Sequence, residues 1–105
     1  WATEKIHDAK IEPTVGQIRE CARTNQYVVS VHAAEEMDDD SLTIFDVERL
    51  ILAGKVVARQ RDKDPPETKV LIRGPTLDGD SAFAVVKLGP TGKLVIVTVF
   101  RDIYG

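Results

Sequence analysis

The segment Val29–Gly54, VSVHAAEEMDDDSLTIFDVERLILAG, constrains this chain more than any other, because the hydrophobic period changes at its end. Within it, Thr43 followed three residues later by Asp46 has the pattern of a capping box, hydroxyl and carboxylate each reaching a backbone N–H that the first helical turn leaves unpaired. Leu42 and Val47 stand at the two positions of a hydrophobic staple across that cap. Val47, Leu50 and Ile51 follow at helical spacing, and Gly54 is expected to end the helix in the left-handed conformation. Beyond Gly54 the chain reads as β-prone runs separated by turn residues. A helical half therefore precedes a sheet half.

Residues 1–12 show little periodicity and are expected to form a flexible N-terminal arm, leaving 13–105 as a single domain. Thr14 with Gln17 repeats the capping-box pattern after Pro13 and predicts a helix from about Val15 to Thr24, with Gly16 inside it costing about 1 kcal/mol against alanine. Tyr27–Val29 reads as a short β-prone bridge, and Ser30 caps a second short helix through His32, Ala33, Ala34 and Met37. Asp38, Asp39 and Asp40 fall at its C-terminal end, where negative charge opposes the helix dipole and stops it. Four strands are expected after Gly54: Lys55–Arg61, Thr68–Arg73, Ser81–Leu88 and Lys93–Phe100. They are separated by a polar break at 62–67, by the Asp78-Gly79 turn and by Gly89-Pro90-Thr91-Gly92. Links this short predict an antiparallel meander. The expected class is α+β, with two or three N-terminal helices packed on one face of a four-stranded antiparallel sheet.

At 105 residues the chain can bury one modest core, and its 43% hydrophobic and 30% charged residues are those of an ordinary globular domain. No apolar run approaches the roughly 20 residues of a membrane helix, so no membrane association is expected, and the use of a single cysteine fits a reducing, cytoplasmic setting. The single cysteine, Cys21, excludes an internal disulfide and a cysteine-based zinc site, and its helical spacing suits a small buried hydrophobe. The net charge of -3 hides an asymmetry: residues 1–54 balance to -6 and residues 55–105 to +3. A basic sheet half permits a polyanionic ligand there. The chain contains no Walker loop, nucleophile elbow, HExxH or dinucleotide fingerprint, and no cofactor is expected.

Strand alternation sorts the cations by face. Arg59 and Arg61 point one way, Lys69 and Arg73 share a side, Lys87 accompanies Phe83 and Val85, and Arg101 lies beyond Val95, Val97 and Val99. If register brings these sets together, one sheet face carries an apolar centre with a basic rim able to hold phosphates; otherwise they are solvated or pair with the acidic helices. His32 has Glu35 and Glu36 three and four residues on, a spacing that lets a carboxylate orient the ring for acid–base work, although a capping role suits the same position. His7 belongs to the arm and carries no role. The run Glu35, Glu36, Asp38, Asp39, Asp40 lacks the spacing and central glycine of an EF-hand, so a solvated acidic patch, facing solvent or a basic partner, is expected and no metal site. Tyr104, past the last strand, suits a general acid, a base-stacking ring or a cover for the core edge.

The order Ser30, His32, Ala33, Met37, then Leu42, Thr43, Asp46, Val47, then Gly54 and Gly74, closing on Val-Ile-Val-Thr-Val-Phe, resembles a small bacterial domain family of unknown function grouped with RelE-like and MqsR-like toxins. The resemblance covers about Tyr27 to Arg101. It implies a RelE-like fold and a toxin-like module of a type II toxin–antitoxin pair, a metal-independent endoribonuclease whose partner is a small antitoxin, often one with a zinc-finger-type domain. It further implies that basic and aromatic side chains on the sheet face position the RNA. His32, Arg73 and Thr98 match motif positions of that family. With Lys87 and Tyr104, His32 and Arg73 form the expected catalytic set; Arg59, Arg61, Lys69, Thr98 and Arg101 form the expected RNA-binding set. Members commonly carry arginines where this chain has Glu36 and Asp40, which leaves open a non-catalytic partner-binding module or a degenerate toxin.

Overall fold

The computed structural model describes residues 13–103; the expected arm at 1–12, with His7, and Tyr104 lie outside them. Three helices, α1 (Val15–Arg23), α2 (Val31–Asp39) and α3 (Ile44–Ala53), accompany five strands. These are β1 (Tyr27–Val29), β2 (Lys55–Lys63), β3 (Pro66–Pro75), β4 (Ser81–Leu88) and β5 (Leu94–Arg101), arranged in the order β1-β5-β4-β3-β2. β2 to β5 form the expected antiparallel meander, but β1 pairs parallel to β5, from Tyr27 opposite Leu94 to Val29 opposite Ile96. The α+β class holds, whereas the four-stranded antiparallel sheet becomes a five-stranded mixed one. Three residues are too few to display alternation, and a parallel partner at the far end of the chain leaves no local trace.

Each helix begins where its cap chemistry predicts. Gln17 N–H donates to Thr14 Oγ1 at 3.1 Å while Thr14 N–H donates to Gln17 Oε1 at 2.9 Å. Ser30 Oγ accepts from Ala33 N–H at 3.0 Å and donates to the Val97 carbonyl at 2.9 Å, tying the start of α2 to β5. Asp46 Oδ2 accepts from Thr43 N–H at 2.8 Å, closing the capping box of α3. α2 ends at Asp39, with Asp40 as its C-cap.

Ile18 and Ala22 of α1, Ala33 and Met37 of α2, and Val47, Leu50 and Ile51 of α3 pack on one sheet face. Val70, Ile72, Ala84, Val86, Leu94, Ile96 and Val99 meet them from the strands, each large side chain contributing about 1.5–3 kcal/mol. Cys21 is half-buried against this core, as a small hydrophobe. No helix among the described residues is long and apolar enough to cross a membrane.

Gly54 departs from expectation, with extended backbone at φ -87 and ψ -174. Its small size serves packing instead of conformation. A Cβ there would lie 2.2 Å from the Leu50 carbonyl oxygen and 2.5 Å from that of Arg73; a Cβ on Gly74 would lie 2.3 Å from the same Leu50 oxygen. The end of α3 thus runs bare backbone against bare backbone on β3. The polar break expected at 62–67 is a continuation of both strands, with Asp62 opposite Glu67, Lys63 opposite Pro66 and a turn at Asp64-Pro65, whose peptide is cis. The other two turns form as expected, with Gly79 at φ 91 and Gly92 at φ 84.

Candidate functional site

Register decides which cations share a surface. With the helices on one face, the opposite face carries the rows Arg73–Phe83–Phe100 and Leu71–Val85–Thr98, with Lys87 opposite Val95. Lys69 alternates with Leu71 and Arg73 and so lies on this open face. Phe83 and Phe100 stack at its centre, ring centroids 5.1 Å apart and planes 22° apart. Lys69, Arg73 and Lys87 therefore surround an apolar, aromatic patch, as the sequence-based reading anticipates for these three.

Arg59, Arg61 and Arg101 do not join them. They pair across the ladder with Val70, Thr68 and Ala82, all buried on the helix side of the sheet. Arg59 donates to the Pro13 carbonyl at 2.8 Å, and Arg101 Nε donates to the Asp40 carbonyl at 2.7 Å. For Arg101 the cause is a bulge. Val85 pairs with Thr98 and Val86 with Ile96, so Val97 is an extra residue that reverses the phase of β5, and Arg101 follows Val99 to the helix side.

Carboxylates accompany each open-face cation. Arg73 Nε lies 2.6 Å from Asp102, Lys87 Nζ lies 3.0 Å from Glu67, and Lys69 Nζ lies 3.5 Å from Asp62 and 3.6 Å from Glu67. A hydrogen bond from Gln60, with the charges of Lys69 and Lys87, holds the Asp62 carboxyl below the usual range. Ion pairs this close to solvent contribute about 0–1 kcal/mol each, so an incoming polyanion can compete for the cations.

His32 is exposed on the first turn of α2, its Nε2 3.4 Å from Glu36 Oε1. The same Glu36 oxygen accepts from the Thr98 hydroxyl and from Val99 N–H at 3.1 Å, and Asp40 Oδ2 accepts from Arg101 N–H at 3.1 Å. β1 ends at Val29, leaving the edge of β5 beyond Ile96 without a strand; two carboxylates one helical turn apart occupy that edge instead. The expected solvated acidic patch is thus corrected for Glu36 and Asp40, while Glu35, Asp38 and Asp39 remain exposed. Glu36→Ala leaves a β5 N–H and the Thr98 hydroxyl without this acceptor and should lower stability by about 1–2 kcal/mol in urea titration, with Glu36→Gln recovering most of it.

The structure therefore connects His32 to Thr98 through Glu36 at the β5 rim, and gathers Lys69, Arg73 and Lys87 on strands β3 and β4. Tyr104 lies outside the described residues. Sequence reasoning missed the carboxylates Glu67 and Asp102 and the ring of Phe100. Only strand register places them, and the sequence carries no separate signal for it. Tyr27 was also passed over; burial and then its hydrogen bond to Glu48 push its hydroxyl up to about 12, so it joins β1 to α3 as a neutral donor.

A family model described as a domain of unknown function (DUF4258) matches residues 29–101, from the last residue of β1 through β5. No curated protein and no solved structure shows a significant match.

Proposed function

The chain belongs to the DUF4258 family of unknown function, and on that premise we propose that it is a RelE-like toxin module of a toxin–antitoxin pair, acting as a metal-independent endoribonuclease. The observation that carries this reading is the open sheet face, where Lys69, Arg73 and Lys87 surround the stacked Phe83 and Phe100. Cations beside a partly exposed aromatic pair suit a single strand of RNA, phosphates on the charges and bases on the rings. The helical motif at Ser30, His32 and Met37, which resembles a family of unknown function grouped with such toxins, is the second ground for the same reading.

In the proposed reaction the ribose 2′-hydroxyl attacks the adjacent phosphorus and the bond to the 5′ oxygen breaks. His32, oriented by Glu36, takes the 2′ proton. Arg73 and Lys87 stabilise the charge that builds on the phosphoryl oxygens. The 5′ oxygen leaves with a proton, for which Tyr104 is the candidate donor. Cytoplasmic RNA is the substrate, and a small antitoxin of zinc-finger type is the partner that restrains it.

Controlled expression should arrest growth, and purified protein should cut a defined RNA in EDTA, leaving 2′,3′-cyclic phosphate and 5′-hydroxyl ends. Arg73→Ala or Lys87→Ala should slow cleavage by about 100-fold. Intact RNA and normal growth would overturn the reading.

Glu36 and Asp40 favour a second reading, a partner-binding module or degenerate toxin without cleavage. Both stand where the resemblance implies arginines, and here both hydrogen-bond to the β5 edge. That reading predicts RNA or protein bound and RNA left whole.

A further inference from the structure

We propose that the outer edge of β2 docks an extended, acidic segment of a partner protein, which adds to the sheet as a sixth strand. The inference is independent of the RNA reading, because it uses the other side of the sheet. The two edges differ in kind. On the β5 side, β1 and then the Glu36 and Asp40 carboxylates cover the ladder. On the other side, β2 ends the strand order, and among the described residues no strand pairs with its outer edge. Seven of its nine residues are exposed.

Every second residue of such an edge turns its N–H and C=O outward, a template for another chain. The bulge between Val56 and Ala58 disturbs only the beginning of β2; from Ala58 to Lys63 the pairing is regular. Lys55, Arg59, Arg61 and Lys63 against Asp62 give the strand a balance of +3. Register puts Arg59, Arg61 and Lys63 on one side of the sheet at alternate positions, roughly 7 Å apart. This row lies on the side opposite Lys69, Arg73 and Lys87.

That arrangement selects the occupant. RNA offers no ladder of alternating donors and acceptors at strand spacing, whereas a polypeptide does. A second copy pairing through β2 would set this basic row against itself, and like charges directly opposite are destabilising. Acidic side chains at alternate positions of an added strand would instead stand beside this basic row, within about 5 Å at Cβ, with Lys63 as the cation they meet and Arg59 also donating to the Pro13 carbonyl.

The test uses the full chain and a blocked heptapeptide alternating glutamate with valine, followed by NMR amide exchange and fluorescence anisotropy. Slowed exchange confined to β2 is expected, with binding weakened severalfold by Lys63→Glu. N-methylation of alternate peptide amides should abolish binding, a result that does not depend on any variant folding. The proposal is overturned by absence of binding, by binding that survives N-methylation, or by equal binding of a peptide with lysine in place of glutamate. Protection of β2 that rises with protein concentration alone would assign the edge to a second copy, and protection by an RNA homopolymer would assign it to nucleic acid; either overturns it.

Discussion

Gly74→Ala should lower stability by about 3 kcal/mol or more, a large effect for a one-carbon change. The added Cβ would sit 2.3 Å from the Leu50 carbonyl oxygen and 2.9 Å from Gly54 Cα. Both are backbone atoms, so no side chain can rotate away. Relief requires the end of α3 to lift from β3, which separates Leu50 and Ile51 from Ile72 in the core. For a domain of this size that corresponds to a fall in Tm of roughly 10–20 °C, read by thermal unfolding. Gly16→Ala is the matched control. The nearest atom to its new Cβ is Thr14 Oγ1 at 3.8 Å, so the exchange should raise stability by about 0.5–1 kcal/mol through helix propensity. Equal effects at the two glycines would show that the α3–β3 approach is not the constraint.

Asp46→Ala should cost about 2–3 kcal/mol, because one buried carboxylate serves two structures. Its Oδ2 completes the cap of α3 with Thr43, and its Oδ1 accepts from Leu77 N–H at 2.9 Å in the β3–β4 loop. Burial pushes the Asp46 carboxyl up, but the hydrogen bonds from Thr43 and Leu77 outweigh it and hold the group below its ordinary 3.8. A lowered folded value means that the contribution is complete above the unfolded value and fades as pH falls through the folded one. Urea titrations across the acid range should therefore show a loss below about pH 4 that Asp46→Asn reduces. An unchanged acid profile in Asp46→Asn would remove Asp46 as a source of that loss. Asp78, held low by the Thr76 hydroxyl and Asp80 N–H, and Asp62, held low by Gln60, titrate in the same direction and contribute to the residual slope.

These two residues show where local and tertiary information separate. Thr43 with Asp46 reads as a cap from sequence alone, since both partners lie within one helical turn. That Asp46 also holds Leu77 does not, because that contact joins residues 31 positions apart. Gly54 is legible as a helix end, yet its reason, contact with Arg73 across the sheet, is not.

The sequence by itself determined the three helices and their caps, the four-strand meander, the turns at Gly79 and Gly92, and the grouping of Lys69 with Arg73. All follow from periods and hydrogen bonds spanning a few residues. Only the tertiary structure decided that Tyr27–Val29 is a fifth strand, that Val97 turns Arg101 away from the open face, and that Glu36 and Asp40 cover the edge of β5. These depend on register between distant segments. A shift of one residue exchanges the two faces of a strand while leaving its own alternation intact.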